Sequence, residues 1–350
     1  MKAREFENVL IVRTDRIGDV VLTLPMIHAF NANFPGRRIS MLLRSYTQEL
    51  VDGFAGLESI LAYDDNGELK AFFTLLSELR KRRFDLVFVV HPTFRLALLM
   101  LLAGIPIRVG TGYRWYSFLF NRKVFEHRRT AERHEAEYNL SLLRAIGCDI
   151  RSIPMIVLPM PATAMNAAVQ EIKRLGIGAS ERFVILHPGS GGSARDWSAQ
   201  NFGDLARALK NIGCSVVVTG SSSEKLLVEE VVRRSSESAS ASAGRLSLKE
   251  LASFIGSARL FVSNSTGPLH IAAAVGTPVI AFYPPIQECS PRRWGPLTEK
   301  KKVFTADNAF CERCKGEACQ GNDCMDQITV DQVLQAAVKL LSEGKTQNRS

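Results

Sequence analysis

The sequence predicts an α/β protein made of two doubly wound domains, each built on a parallel sheet. Apolar runs without two-residue alternation, such as residues 9–12 and 183–186, are typical of strands buried on both faces. These runs alternate with helical patterns, and the alternation stops in a proline-containing segment at residues 154–161 before it starts again. The length of 350 residues also exceeds what a single core usually reaches.

In the first half, strands are predicted at residues 9–12, 39–43, 85–90 and 107–110. Helices are predicted at residues 19–33, 69–82, 95–103 and 131–146. Strands that alternate with helices form a parallel sheet covered on both faces, so we assign residues 1–155 to a first Rossmann-like domain.

In the second half, strands are predicted at residues 183–186, 215–219, 260–262 and 278–282, with helices between them. Residues 235–242 are rich in Ser and Ala and are predicted to form a loop. We assign residues 156–328 to a second Rossmann-like domain and residues 329–350 to a final helix and a polar tail. Two such domains of similar size predict a central cleft, lined by strand ends of both, with one substrate on each wall.

The net charge of +9 favours anionic partners, such as phosphates, nucleic acid or an acidic membrane surface. No apolar segment of signal-peptide type precedes the first strand, which predicts a cytoplasmic protein. The most apolar stretch, residues 96–106, is shorter than the about 20 residues that span a bilayer. It predicts a helix that is buried or that rests against a membrane.

Four of the seven cysteines form a cluster, made up of Cys311, Cys314, Cys319 and Cys324. Their spacing lacks the two separated Cys-x-x-Cys pairs of most structural zinc sites. A four-thiolate metal site and a surface loop of reduced or redox-labile thiols therefore both remain open. Cys148 and Cys214 lie among apolar residues and are predicted to be small core side chains.

A charged turn follows the first strand and carries Asp15 and Asp19. The carboxyl ends of the strands in an open parallel sheet face the ligand crevice, so both carboxylates are candidate site residues. Asp19 is equally suited to the first turn of a helix, where an acidic side chain offsets the helix dipole. Asp15 fits a supporting role for the turn and its arginines.

Three polar segments follow strands of the second domain and predict a diphosphate site that needs no metal. Glycine-rich residues 189–192 and the guanidinium of Arg195 suit a phosphate, although an ordinary flexible loop is the alternative. A helix start at residues 265–268 adds a second anion site, and polar residues 221–224 suit a ribose or a helix cap. His270 fits ligand contact and structural support equally. The candidate donor-binding residues are Ser190, Gly191, Arg195, Ser222, Glu224, Ser265, Thr266, Gly267 and His270.

Taken in order, the motifs resemble those of the ADP-heptose:lipopolysaccharide heptosyltransferases of glycosyltransferase family 9, over nearly the whole chain. They lie at residues 13–25, 187–190, 195–197, 264–270 and 291–296. The resemblance implies a GT-B fold, with the acceptor on the first domain and ADP-heptose on the second. It also implies an inverting transfer to the lipopolysaccharide inner core that requires no cofactor.

The resemblance implies that Asp19 is the catalytic base and that Arg195 binds phosphate, where well-known members carry a lysine. Ser265 stands where some members carry an aspartate, which leaves the donor sugar open. We expect the helix dipole and Arg16 to lower the pKa of Asp19, and desolvation in a closed cleft to raise it by up to about 3–5 units.

The partners that the resemblance implies are ADP-heptose, a phosphorylated lipid A-core acceptor and the surface of the inner membrane, without nucleic acid. Because such an acceptor is anionic, Arg16, Arg44 and Arg114 are candidate acceptor-binding residues. Two alternatives are a GT-B transferase for another nucleotide sugar and a non-catalytic nucleotide or nucleic-acid binder with a cysteine metal site. A nicotinamide oxidoreductase fits poorly, because the first turn has one glycine rather than GxGxxG.

Overall fold

The computed structural model describes residues 6–64, 67–178, 181–192, 195–307 and 324–343. The chain divides into two compact units, Met1–Pro159 and Met160–Ser350. Each unit carries a six-stranded sheet whose neighbouring strands are parallel. The predicted α/β class with two doubly wound sheets is therefore confirmed.

The strands of the first unit are β1 (Asn8–Arg13), β2 (Arg38–Leu43), β3 (Ser59–Ala62), β4 (Leu86–Val89), β5 (Ile107–Thr111) and β6 (Arg122–Val124). Its helices are α1 (Ile17–Val21), α2 (Pro25–Asn33), α3 (Ser45–Val51), α4 (Leu69–Arg82), α5 (Phe94–Leu102) and α6 (Glu135–Arg144). The strand order is β3-β2-β1-β4-β5-β6, so the order reverses between β1 and β4. Ligands of open α/β sheets bind outside the carboxyl ends of the strands at such a reversal.

Strand β1 is the centre of the first sheet. Its residues 9–12 are fully buried, and it pairs with β2 on one side and β4 on the other. Layers of helices cover both faces of a doubly wound sheet, which explains why this strand is apolar at consecutive positions.

The single helix predicted at residues 19–33 is wrong, because two helices, α1 and α2, occupy that segment. Pro25 is the first residue of α2, where its missing N–H costs little, and it breaks the hydrogen-bonding pattern that a continuous helix requires. Asp19 is the third residue of α1, and no side chain caps this helix. Asp19 thus lies in the first turn of a helix, as its alternative interpretation predicts, but its carboxylate pairs with Arg13 and does not cap the helix.

The apolar stretch at residues 96–106 contributes most of α5. Leu96, Ala97, Leu99 and Met100 are buried against the sheet, as predicted for a core helix. Among the residues described, no helix has both the length and the apolar character needed to cross a membrane. Cys148 and Cys214 are buried, which confirms their prediction as core side chains.

The strands of the second unit are β7 (Phe183–His187), β8 (Ser215–Gly220), β9 (Ser240–Ala243), β10 (Leu260–Asn264), β11 (Val279–Tyr283) and β12 (Lys301–Thr305). Its helices are α7 (Ala162–Arg174), α8 (Ala199–Asn211), α9 (Lys225–Arg234), α10 (Leu248–Ser257), α11 (Gly267–Ala274), α12 (Pro291–Trp294) and α13 (Val330–Glu343). The strand order is β12-β11-β10-β7-β8-β9, which reverses between β7 and β10.

Short strands account for most differences from the predicted elements. The loop predicted at residues 235–242 is wrong, because β9 occupies part of it and pairs with β8. Strands β3, β6 and β12 were likewise not predicted. All four are edge strands, where backbone pairing to one neighbour specifies the strand without a run of buried apolar side chains.

Candidate active site

Strand β1 ends in a buried arginine. Arg13 is 3% exposed and is the last residue of the strand. Its Nε donates a hydrogen bond to Asp15 Oδ1 at 2.8 Å, and its Nη2 donates to Asp19 Oδ1. Because a buried guanidinium is stable only when its charge is paired, Arg13 and the two aspartates form one unit. The sequence pattern gave Arg13 no role of its own.

Helix α6 contacts the other side of this arginine. Arg13 Nη1 donates to Asn139 Oδ1 at 3.1 Å and to Glu135 Oε1 at 3.4 Å. Arg128 donates from its Nη1 to the same Glu135 oxygen and, at 3.2 Å, to Asn139 Oδ1. Glu135 and Asn139 are four residues apart and therefore share one face of α6. This face holds two guanidiniums with one carboxylate and one amide.

The main chain of Asp19 is also held from α6. Asn139 Nδ2 donates to the Leu22 carbonyl at 3.0 Å and to Thr23 Oγ1 at 3.3 Å. The Thr23 hydroxyl donates to the carbonyl of Asp19 at 2.8 Å. Asp19 is therefore fixed at its carboxylate by Arg13 and at its backbone by the Thr23–Asn139 pair.

Burial raises the pKa of Asp19 from 3.8 to about 6. The charge of Arg13 lowers this pKa, while the negative charges of Asp15 and Glu135 raise it. The cation that pairs with Asp19 is Arg13 rather than the expected Arg16, which has an exposed side chain and precedes α1. A carboxylate of this kind is ionised near neutral pH and is a stronger base than an ordinary aspartate.

The three predicted acceptor-binding arginines follow strands of the same sheet. Arg16 follows β1, Arg44 follows β2 and Arg114 comes shortly after β5, and all three are exposed. Parallel strands present their carboxyl ends at one edge, so all three lie at the edge that carries Asp19. At this edge, desolvation raises the pKa of Tyr46. The positive charges of Arg44 and Arg16, which lie near the Tyr46 phenol, lower this pKa.

In the second unit, Asn264 anchors the glycine-containing loop that follows β7. Asn264 is fully buried at the end of β10, and its Nδ2 donates to the Pro188 carbonyl at 2.7 Å. Its Oδ1 accepts from the amide of Trp197 at 2.8 Å, and Trp197 Nε1 donates to the Ile328 carbonyl at 2.8 Å. Both ends of the loop are thus attached to the core of the second unit.

Glu224 binds the start of the same loop. Its Oε2 accepts hydrogen bonds from the amide and the hydroxyl of Ser221, each at 2.8 Å, and the amide of Gly191 also donates to the carboxylate. Burial raises the pKa of Glu224, but these bonds and the charge of His187 outweigh burial and lower it. A Cβ at Gly189 would lie 1.9 Å from Glu224 Oε1, so any larger residue there would force this carboxylate to move. The Gly191 amide, predicted to face a phosphate, already has a carboxylate partner.

Asp196 is a second carboxylate at this loop, and the sequence pattern did not predict it. Burial raises the pKa of Asp196 to about 6, although the buried Ser190 hydroxyl lowers it and the charge of Glu224 raises it further. The one sign of Asp196 in the sequence is its place between Arg195 and Trp197.

The remaining candidates follow the two strands that flank β7, β8 and β10. Thr266 is the residue before α11, Gly267 is the first residue of that helix, and His270 is buried one turn later. Ser222 begins a 3₁₀ turn after β8 and is exposed. The predicted donor-binding residues therefore lie on loops and helix starts after three adjacent strands, β8, β7 and β10, at the reversal of strand order.

The cysteine cluster falls mainly outside the described residues, which do not include Cys311, Cys314 or Cys319. Cys324 begins a short 3₁₀ helix and is buried. Within the described ranges, no three His, Cys, Asp or Glu side chains are grouped as metal ligands.

A family model for glycosyltransferase family 9 (heptosyltransferase) matches residues 72–324, well over half of the chain. The chain belongs to this family. A family 9 glycosyltransferase is an enzyme, so this membership argues against the alternative of a non-catalytic nucleotide or nucleic-acid binder. A Haemophilus influenzae protein with a provisional glycosyltransferase description is 28% identical over 313 residues, covering 87% of this chain and 89% of that protein.

Named heptosyltransferases are also similar to this glycosyltransferase. Lipopolysaccharide heptosyltransferase 3 of Escherichia coli K12 is 26% identical over 340 residues, covering 93% of this chain and 96% of that protein. The solved structure of Escherichia coli ADP-heptose lps heptosyltransferase II is 21% identical, with a TM-score of 0.79 and coverage of 97% and 99%. The shared fold confirms the predicted GT-B architecture.

The raised pKa of Asp19 predicts that its ionised carboxylate destabilises the folded protein. Well below pH 3.8 the carboxyl is protonated in both folded and unfolded chains; the penalty develops as the pH rises from 3.8 to about 6 and is complete above. We expect Asp19→Asn to raise the melting temperature at about pH 8 and to have a much smaller effect at about pH 4, as measured by calorimetry.

Asp149→Asn is the matched control, because Asp149 is 66% exposed and its pair with Arg151 contributes little. A lower melting temperature for Asp19→Asn at about pH 8 would show that the attraction of Arg13 outweighs burial.

Proposed function

We propose that this glycosyltransferase transfers heptose from ADP-heptose to the inner core of lipopolysaccharide, with inversion at the anomeric carbon. The observation that carries the proposal is the Asp19 carboxylate, held by Arg13 at the reversal of strand order with a pKa raised to about 6. The named heptosyltransferases among its relatives support heptose as the sugar and lipopolysaccharide as the acceptor.

In the proposed reaction, Asp19 accepts the proton of the attacking acceptor hydroxyl. The acceptor oxygen forms a bond to the anomeric carbon from the face opposite ADP, while the bond from that carbon to the diphosphate oxygen breaks. The diphosphate leaves as a stable anion and needs no proton, so one carboxylate is sufficient. The raised pKa of Asp19 suits this role because it brings the base closer to the working pH.

The donor is proposed to bind at the edge of the second sheet. Arg195 and the amino end of α11 offset the charge of the diphosphate, since a guanidinium and free helix amides both favour phosphate. The Glu224 carboxylate accepts hydrogen bonds, which suits ribose hydroxyls, and Ser222 lies beside it in sequence. This charge compensation supports transfer without a metal or another cofactor.

The acceptor is proposed to bind at the edge of the first sheet, where the exposed residues Arg16, Arg44 and Arg114 lie at the same strand ends as the turn that holds Asp19. Arginine binds phosphate through paired N–H donors, so these residues suit the phosphates of a lipid A-core acceptor.

We also propose that the enzyme works at the cytoplasmic face of the inner membrane and touches it through the segment after β5. Trp115 is 72% exposed, Phe118 is 68% exposed, and both lie close in sequence to Arg114. Trp115 stacks on Phe94 with ring centroids 4.9 Å apart, so this aromatic surface extends to the start of α5. Exposed aromatic rings beside cationic side chains suit an anionic lipid interface.

Asp19→Ala is expected to lower heptose transfer by roughly 10²–10⁴-fold, the usual contribution of a general base. The assay follows ADP release from ADP-heptose with a phosphorylated lipid A-core acceptor and confirms the product by mass. Asp149→Ala is the control, and ADP affinity should be unchanged in both variants. Full transfer by Asp19→Ala would contradict the assignment of the base, and transfer only from another nucleotide sugar would contradict the donor.

Arg195→Ala is expected to weaken ADP binding by about 10-fold or more, because a charge-assisted hydrogen bond contributes about 1.5–3 kcal/mol. The loss should be smaller for AMP, which lacks the second phosphate. Titration calorimetry measures both affinities, with Arg233→Ala as the control because Arg233 is 69% exposed and pairs with Glu230. Equal ADP affinity in the two variants would remove the phosphate role.

Replacing Trp115 and Phe118 together by serine is expected to reduce sedimentation of the enzyme with vesicles of phosphatidylglycerol and phosphatidylethanolamine. The control replaces Leu226 and Ile212, which are exposed apolar residues of the second unit, by serine. Native binding should be weaker to vesicles without phosphatidylglycerol. Equal loss in the two double variants would contradict a specific membrane-contacting surface.

A further inference from the structure

A single buried carboxylate, Glu135, lies between two guanidiniums in the first unit. Its side chain is 1% exposed, and its Oε1 accepts hydrogen bonds from Arg13 and Arg128. Burial of an ionised carboxylate is costly unless its charge is compensated, and these two arginines provide the compensation. Neither Glu135 nor Arg128 belongs to the turn that carries Asp19.

Arg13 divides its N–H groups among several acceptors. Nε bonds to Asp15, Nη2 bonds to Asp19, and Nη1 bonds to Glu135 and Asn139; Nη2 also lies 3.5 Å from Glu135 Oε1. All three nitrogens of the guanidinium therefore have acceptors, so Arg13 cannot give two of them to Asp19 in a bidentate pair. A bidentate pair would bind both oxygens of Asp19 and hold the carboxylate more strongly in its ionised form.

The charges of this cluster do not balance when all its members are ionised. Arg13 and Arg128 are positive, whereas Asp15, Asp19 and Glu135 are negative, so three carboxylates share two guanidiniums. Among the carboxylates, Asp19 and Asp15 are partly exposed, at 14% and 17%, whereas Glu135 is enclosed. Asp19 is thus at the open end of the cluster, and the five side chains named here include one more carboxylate than guanidinium.

We propose that Glu135 is a positioning residue for glycosyl transfer, which shares the charge of Arg13 so that Asp19 is anchored without losing its strength as a base. This inference rests on the proposed role of Asp19. It assigns a function to a buried residue that acts on Asp19 through Arg13. A purely structural Glu135 would instead affect stability without changing the pH at which the enzyme becomes active.

The other charged and titratable groups near Asp19 are compatible with this assignment. Arg16 and Arg44 lie near Tyr46, and desolvation raises the pKa of Tyr46, so the phenol stays neutral. His91 follows β4, near Arg114, Arg128, Arg13 and Asp15, and desolvation lowers its pKa, so the imidazole is neutral above pH 6.5. Asp196, whose pKa is also raised to about 6, belongs to the second unit and is the same in every variant below, so a change of the acid limb between variants reports on Asp19.

The test compares the pH dependence of kcat/KM in the native enzyme and in Glu135→Gln. The native acid limb is expected near pH 6. Removing the negative charge of Glu135 should move that limb down by about one pH unit and lower the plateau rate, because Asp19 becomes a weaker base. Glu135→Asp, which keeps the charge, should restore most of the native profile.

Two further variants separate charge sharing from structural damage. Arg128→Gln removes a positive charge from the same cluster and should move the acid limb upward, opposite to Glu135→Gln. Glu137→Gln is the matched control, since Glu137 lies in the same helical turn but bonds to the amide of His134. Its acid limb should stay at the native position.

An unchanged acid limb in both Glu135→Gln and Arg128→Gln would overturn the proposal, as would a rate loss that is equal at every pH. If Glu135→Gln does not fold, as judged by thermal unfolding and ADP binding, the direction of the Arg128→Gln shift decides. Failure of this inference is distinguishable from failure of the proposed function, because only the latter would leave Asp19→Ala fully active.

Discussion

Arg13 ends β1 inside the protein, where a guanidinium is stable only if its charge is matched by buried partners. Asp15 and Asp19 come from the turn after the strand, and Glu135 and Asn139 come from α6. The first turn, α1 and α6 are therefore joined by one polar cluster. The position of the proposed base is a consequence of how this single charge is compensated.

In the second unit, the loop after β7 is likewise held by side chains from other segments, one neutral and one anionic. Asn264 joins the two ends of the loop after β7, and Glu224 accepts hydrogen bonds from that loop and from the turn after β8. In both units a side chain from a neighbouring segment fixes the loop at the strand-order reversal. A preorganised loop loses less conformational entropy when a ligand binds.

The fold was largely predictable because its central strands are long apolar runs. Strands β3, β6, β9 and β12 were missed because partners on neighbouring strands, rather than their own side chains, define them. The motif at residues 13–25 was enough to choose Asp19 as the proposed base, but it did not show that Asp19 pairs with Arg13. Arg16 is the nearer cation in sequence, whereas Glu135, the carboxylate that completes the cluster around Arg13, lies 122 residues beyond that arginine. A charged residue that ends a fully apolar strand is the one local sign that Arg13 is buried.

That long separation has a consequence for synthesis on the ribosome. Strands β1, β2 and β4 are all translated well before α6. When these strands pair, Arg13 is present but its partners Glu135 and Asn139 have not yet been synthesised. Until α6 packs, this guanidinium must stay hydrated or rely on the two aspartates alone. The turn that carries Asp19 therefore reaches its final geometry only after the last helix described in its unit has been translated.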